Sequence, residues 1–199
     1  MISKTILQTM PEIKTRRQSK AGFCGIAMIR SVLATQFKIR VSELQILKLF
    51  KEYCKLKGKN VKDHKNLILN EGVNPEFIAF CFKKYTSDVK ILCYRMGDIY
   101  KLDYLLKGFN IVPIIHQLIC YPEFGDNKPD GHYLMFGGFI SNFKVKIVKI
   151  FDPSRYGGLK YLDAKEFERK WYSNNEKWFL VVVPNEIKLE SRIFKGKYI

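Results

Sequence analysis

Cys24 opens the segment CGIAMIRSVLATQF, in which Ile26, Ile29, Val32, Leu33 and Phe37 recur at helical spacing. A thiol reacts as its thiolate, and a helix N-terminus stabilises that anion through free N–H groups and a partial positive charge. Cys24 is therefore the candidate nucleophile. Its neighbours Gly22, Gly25 and Ala27 are small, which would let a substrate backbone lie close to the sulfur. The Cys24 N–H can donate to a developing oxyanion, and Gln18, six residues upstream, can add its side-chain amide.

A thiol nucleophile needs a base within reach. The chain has three histidines, at 64, 116 and 132. His64 lies in a Lys-rich stretch and His116 follows Pro113-Ile-Ile in an apolar run, so they read as an exposed residue and a structural or pocket-lining one. His132 follows Asp130-Gly131 and leads into Tyr-Leu-Met-Phe. The pattern predicts a junction between loop and strand, open at one end and rigid at the other. Gly131 would border the substrate there. A third group must orient the imidazole and hold its tautomer. If 132–140 and 144–151 pair as a hairpin, the start of the first strand and the end of the second are neighbours, which sets Asp152 beside His132.

The motifs around these residues resemble a known family. QSKAGFCGIAMIRSVL, from Gln18 through Cys24 to Leu33, is similar to the catalytic segment of the bacteriocin-processing peptidases, which cleave after double-glycine leaders, in their stand-alone form. GHYLMFGGF at Gly131 and His132 resembles the His segment of that papain-like family, and VKIVKIFDP resembles its Asp segment. FERKW and WFLVVVP resemble its closing elements, so the likeness spans about residues 16 to 184. It implies a papain-like fold, a peptide or protein substrate and no cofactor. It also implies roles: Cys24 attacks, His132 transfers protons, Asp152 orients His132 and Gln18 stabilises the oxyanion. Phe23 stands where many leader peptidases have an acidic residue, and the Lys-rich segment 48–66 reads as an insertion.

The elements that must position these residues follow from patterning. Residues 1–20 read as an extended lead-in. Ser42 with Gln45 forms a capping box before ELQILKLFKEYCKLKG, which stops at Gly58. Asn74-Pro75 opens the helix PEFIAFCFKKY. A strand, VKILCYR, precedes the helix DIYKLDYLLKG, which Gly108 is expected to end. NIVPIIHQLICY, HYLMFGGFI, VKIVKIFD and WFLVVVP read as strands, with a loop of about 11 residues between the first two. Residues 163–172 read as a late helix, Gly137-Gly138 as strand and Gly157-Gly158 as a turn. Helices first, then an antiparallel sheet, is an α+β layout in a single domain over 1–199.

Composition bounds the rest. The cysteines, at 24, 54, 81, 93 and 120, are odd in number and lack CxxC spacing, which argues against a disulfide framework and a zinc site. The four beyond Cys24 read as core. A reducing, cytoplasmic setting follows, with no secretory signal and no transmembrane segment. The net charge of +16 raises an anionic partner, either nucleic acid or acidic lipid. Of the basic residues 27 are Lys and 8 Arg, and Arg is the better bidentate phosphate binder. Two alternatives to hydrolysis stay open on sequence: acyl transfer from the same Cys-His-Asp site, and a non-catalytic basic binding module.

Overall fold

A computed structural model describes residues 12–59, 64–121, 126–141, 146–154, 157–171, 177–190 and 197–198. Six helices and seven strands appear among them. Helix α1 (Cys24–Gln36) is followed by α2 (Glu43–Leu56), α3 (His64–Glu71) and α4 (Pro75–Tyr85). Strand β1 (Val89–Tyr94) and α5 (Ile99–Phe109) come next. Then follow β2 (Ile114–Tyr121), β3 (Asp126–Ser141), β4 (Lys146–Asp152), β5 (Gly158–Asp163), α6 (Ala164–Trp171), β6 (Phe179–Pro184) and β7 (Lys197–Tyr198).

Local chemistry sets the helix ends. Ser42 accepts from the Gln45 N–H while the Gln45 side chain accepts from the Ser42 N–H, so the expected capping box closes the start of α2. Asn74 caps α4 through Phe77, with Pro75 at its first turn. The end of α5 differs from expectation. The helix passes through Gly108 to Phe109 and stops at Asn110, whose φ of 55° places it in the left-handed region. Asn tolerates that conformation because its short polar side chain can bond locally.

The strands form one sheet in the order β5-β4-β3-β2-β6-β1-β7, with every pairing antiparallel. Its interior strand β6 reads FLVVVP and is buried from Phe179 to Val183, as expected for a strand covered on both faces. Helices lie on both sides. Tyr133 of β3 lies against Gly25 of α1, whereas Phe136, of opposite parity, meets Phe167 of α6. Helices α1, α2 and α4 pack together, with α3 against α2. Gln36 ties the far end of α1 to the sheet, donating to the Val182 carbonyl at 2.6 Å and accepting from the Val112 N–H at 3.2 Å. Fixing that end of a rigid, buried helix also fixes Cys24 at the other.

Two expectations about the sheet are corrected. Strand β3 begins at Asp126, pairing with Tyr121 across a bulge, so 126–131 is strand and the connection from β2 is much shorter than 11 residues. His132 accordingly sits inside a strand rather than at its mouth. Gly158, read as a turn residue, opens β5 opposite Asp152. Elements α3, β5 and β7 were not anticipated. Within the Lys-rich 48–66 stretch, Phe50 and Cys54 of α2 are buried in the core, and 60–63 lie outside the described residues.

Candidate active site

The approach to Cys24 is built by a tight turn. Phe23 N–H donates to the Lys20 carbonyl at 3.3 Å, and Gly22 inside this turn has φ +76°, a value that favours glycine. The chain then enters α1 with Cys24 as its first residue and Phe23 as N-cap, with no side-chain cap and no acidic residue in the first turn. The positive end of the helix is therefore left for an anion at this position. Cys24 is only 6% exposed. A Cβ on Gly25 would lie 2.1 Å from Val73 Cγ2 and 3.3 Å from Tyr133 Cδ2, so this glycine lets α1 seat against those two side chains.

His132 stands between Cys24 and Asp152. Its Nε2–H donates to Asp152 Oδ1 at 2.8 Å, and its side chain also hydrogen-bonds Cys24, which leaves Nδ1 as the nitrogen on the sulfur side. The hairpin inferred from spacing exists: β3 and β4 pair antiparallel, from Met135 opposite Phe151 to Ser141 opposite Lys146. Burial acts to lower the His132 pKa. The bonds to Asp152 and Cys24 and their charges outweigh it and push the imidazole up to about 9. An imidazolium beside the sulfur is thus favoured across neutral pH.

Asp152 is fully buried, and burial alone would raise its pKa. Three donors reverse that: His132 Nε2, Lys160 Nζ on Oδ2 at 2.8 Å, and the Ser154 N–H on Oδ1 at 2.9 Å. Together they hold the carboxyl well below the usual carboxylate range. Lys160 is the residue sequence reasoning missed. The only signal available was its place in GLKYLD, a segment whose pairing partner was not apparent.

Gln18 arrives along a lead-in clamped to α1. The Lys14 N–H donates to Thr35 Oγ1 and the Arg16 N–H to Ser31 Oγ, both at 2.8 Å, and the Gln18 N–H donates to the Pro153 carbonyl at 2.8 Å. Its side-chain Oε1 is buried and unpartnered among the described residues. Gln117, directly opposite His132 on β2, has the same property.

The remaining candidates fall elsewhere. Gly131 is exposed, and a Cβ there would meet His116 Nε2 at 2.5 Å. His116 is half-buried in edge contact with Tyr133 and Trp178, and burial, with His132 nearby, lowers its pKa. His64 begins α3 with its ring edge against Phe50. Cys54 and Cys81 are buried and burial pushes both thiols up, whereas Cys93 is half-buried rather than core. The Cys120 side chain lies outside the described residues. Lys48, Lys51, Lys55, Lys59 and His64 line a surface concavity of about 700 Å³ that includes none of Cys24, His132 or Asp152. Among the described residues no His/Cys/Asp/Glu cluster could hold a metal, and no helix is long and apolar enough to cross a membrane.

Fold and site together define a papain-like α+β domain with a Cys-His-Asp alignment. Among solved structures the chain is similar to a double-glycine motif protease from an AMS/PCAT transporter, crystallised in complex with its leader peptide. The match has a TM-score of 0.56 and 20% sequence identity, and covers 89% of this chain and 95% of that one. At that identity the likeness is one of fold. No family model and no curated protein matches the sequence.

Proposed function

We propose that this chain is a cysteine peptidase that cleaves a peptide bond through a Cys24 acyl-enzyme. The observation that carries the reading is His132 bonded to Cys24 on one side and to Asp152 Oδ1 at 2.8 Å on the other. The proton from Cys24 resides on His132 Nδ1 in the resting site, and the thiolate attacks the scissile carbonyl. The oxyanion of the tetrahedral intermediate is held by the Cys24 N–H, which has no acceptor within its helix, and by the Gln18 amide. His132 then protonates the leaving amine as the C–N bond breaks. A water molecule, giving its proton to His132, attacks the thioester and releases the acid. Asp152 keeps the ring oriented with its Nε2–H inward.

The substrate class we assign is a peptide whose cleaved bond follows small residues, as in a double-glycine leader. Support comes from the leader peptide bound to the structural neighbour. The test is mass spectrometry of synthetic leader peptides carrying a Gly-Gly site, incubated with the protein and with Cys24→Ala. Cleavage after the glycines by the parent alone is the expected result. Cleavage that survives Cys24→Ala overturns the mechanism. Amide products formed in the presence of added amines would reassign the chain as an acyl transferase.

A further inference from the structure

The Asp152 carboxylate is fully buried, yet it is not left to His132 alone. On the sheet, Asp152 lies opposite Gly158 and Ile150 lies opposite Lys160, so Lys160 is the diagonal neighbour of Asp152. Diagonal pairs are within reach of a long side chain. Gly157, where a Cβ would lie 2.6 Å from Asp152 Cγ and 2.7 Å from Oδ1, leaves room for the carboxylate, and Lys160 Nζ reaches Oδ2 at 2.8 Å. Its side chain remains 41% exposed, so the ammonium stays partly hydrated while its charge meets the buried oxygen. Each carboxylate oxygen thus has its own cationic partner: His132 on Oδ1 and Lys160 on Oδ2.

We infer that Lys160 is a positioning residue that balances the charge of Asp152, so that the carboxylate orients His132 while leaving the imidazolium able to give up its proton. The inference rests on the peptidase reading for its purpose. In that cycle His132 must release a proton to the leaving amine and accept one from water. An unbalanced buried carboxylate one bond away would oppose the release. The ionisable groups facing His132 are Cys24 from α1, Asp152 from β4 and His116 from β2. Lys160 from β5 acts on it through Asp152. Arg17 of the lead-in lies near Gly158, with its guanidinium 3.5 Å from where a Cβ would stand.

The experiment measures the titration of His132 itself, by NMR of histidine-labelled protein, alongside the pH dependence of peptide cleavage. With three histidines in the chain, variants at His64 and His116 assign the signals. In Lys160→Met the His132 midpoint and the basic limb of the cleavage profile both move to higher pH, by about half a unit or more for a half-exposed charge. Lys160→Arg restores them. A second neutral variant, Lys160→Gln, is measured in case the first folds poorly. A midpoint that stays in place or falls in the folded neutral variants overturns the inference. Absent Cys24-dependent cleavage with a shifted His132 midpoint overturns the peptidase reading and leaves the charge balance standing.

Discussion

The backbone of Gln18 is bonded to the residue that follows Asp152: its N–H donates to the Pro153 carbonyl at 2.8 Å. The lead-in, the end of β4 and the start of α1 are thereby joined at one place. Two distant stretches of sequence, one carrying Gln18 and Cys24 and the other Asp152, are joined by a backbone bond rather than by side-chain packing alone.

That lead-in depends on two buried hydroxyls of α1. Ser31 Oγ donates to the Ala27 carbonyl and accepts from the Arg16 N–H, both at 2.8 Å. Ser31→Ala strands the Arg16 N–H, which costs about 1–3 kcal/mol if the group stays buried. Urea denaturation should show a loss in that range. Cleavage should fall with it, because Gln18 sits two residues beyond the freed amide. A variant that loses stability but keeps full turnover at saturating peptide would separate Gln18 placement from this clamp.

Gly157 tests how tightly Asp152 is seated. A Cβ there would lie 2.5 Å from the Asp152 carbonyl oxygen, 2.6 Å from Cγ and 2.7 Å from Oδ1. No real Cβ contact is that short, and Oδ1 is the atom that holds His132. Gly157→Ala should therefore displace the carboxylate and lower kcat by about 100-fold, the scale of a misplacement near 1 Å. Gly108→Ala is the control. Its nearest neighbour would be 3.9 Å away within α5, and it should raise stability by about 0.5–1 kcal/mol with turnover unchanged.

Much of this arrangement is legible in the sequence. Apolar spacing gave α1 and so placed Cys24 at a helix start, and the alternation of two apolar runs gave the hairpin that brings Asp152 to His132. What escaped was backbone pairing under polar side chains. Residues 126–131 look like a loop because Asp, Asn, Lys, Pro and Gly dominate them, but pairing with β2 needs only N–H and C=O groups. The same blindness hid β5, whose GLKYLD is buried only at Gly158 and then alternates exposed and half-buried positions. Lys160 was lost with it. A charge partner on the next strand has no local signature until that strand and its register are known.

Thiol labelling separates Cys24 from the other cysteines. Cys24 stands at an uncapped helix start with His132 beside it, while burial pushes the Cys54 and Cys81 thiols up. At about pH 6–7, iodoacetamide should modify Cys24 first, as read by peptide mass spectrometry. His132→Ala should slow that reaction about tenfold or more without speeding labelling at Cys54 or Cys81. Equal rates at Cys24 and Cys81 in the folded parent would contradict the arrangement.

The His132–Asp152 pair also makes stability depend on pH, with a sign that can be checked. The folded His132 pKa, about 9, lies above its ordinary value near 6.5, so folding favours the protonated ring. Its contribution is fully present below about pH 6.5 and is lost as pH rises through about 9. The size is on the order of 3 kcal/mol for a shift of that extent. Asp152 acts in the opposite arm. Its folded pKa is depressed, so its contribution is present above about pH 4 and is lost as pH falls further. Asp152→Asn keeps the shape and removes the charge, so the stability decline between pH 6.5 and 9.5 should flatten. Turnover should drop about 10²–10⁴-fold, because the amide no longer fixes the Nε2–H tautomer. Urea midpoints of the two proteins at several pH values decide it. Parallel curves through the alkaline range would mean that His132 is not held as imidazolium by Asp152.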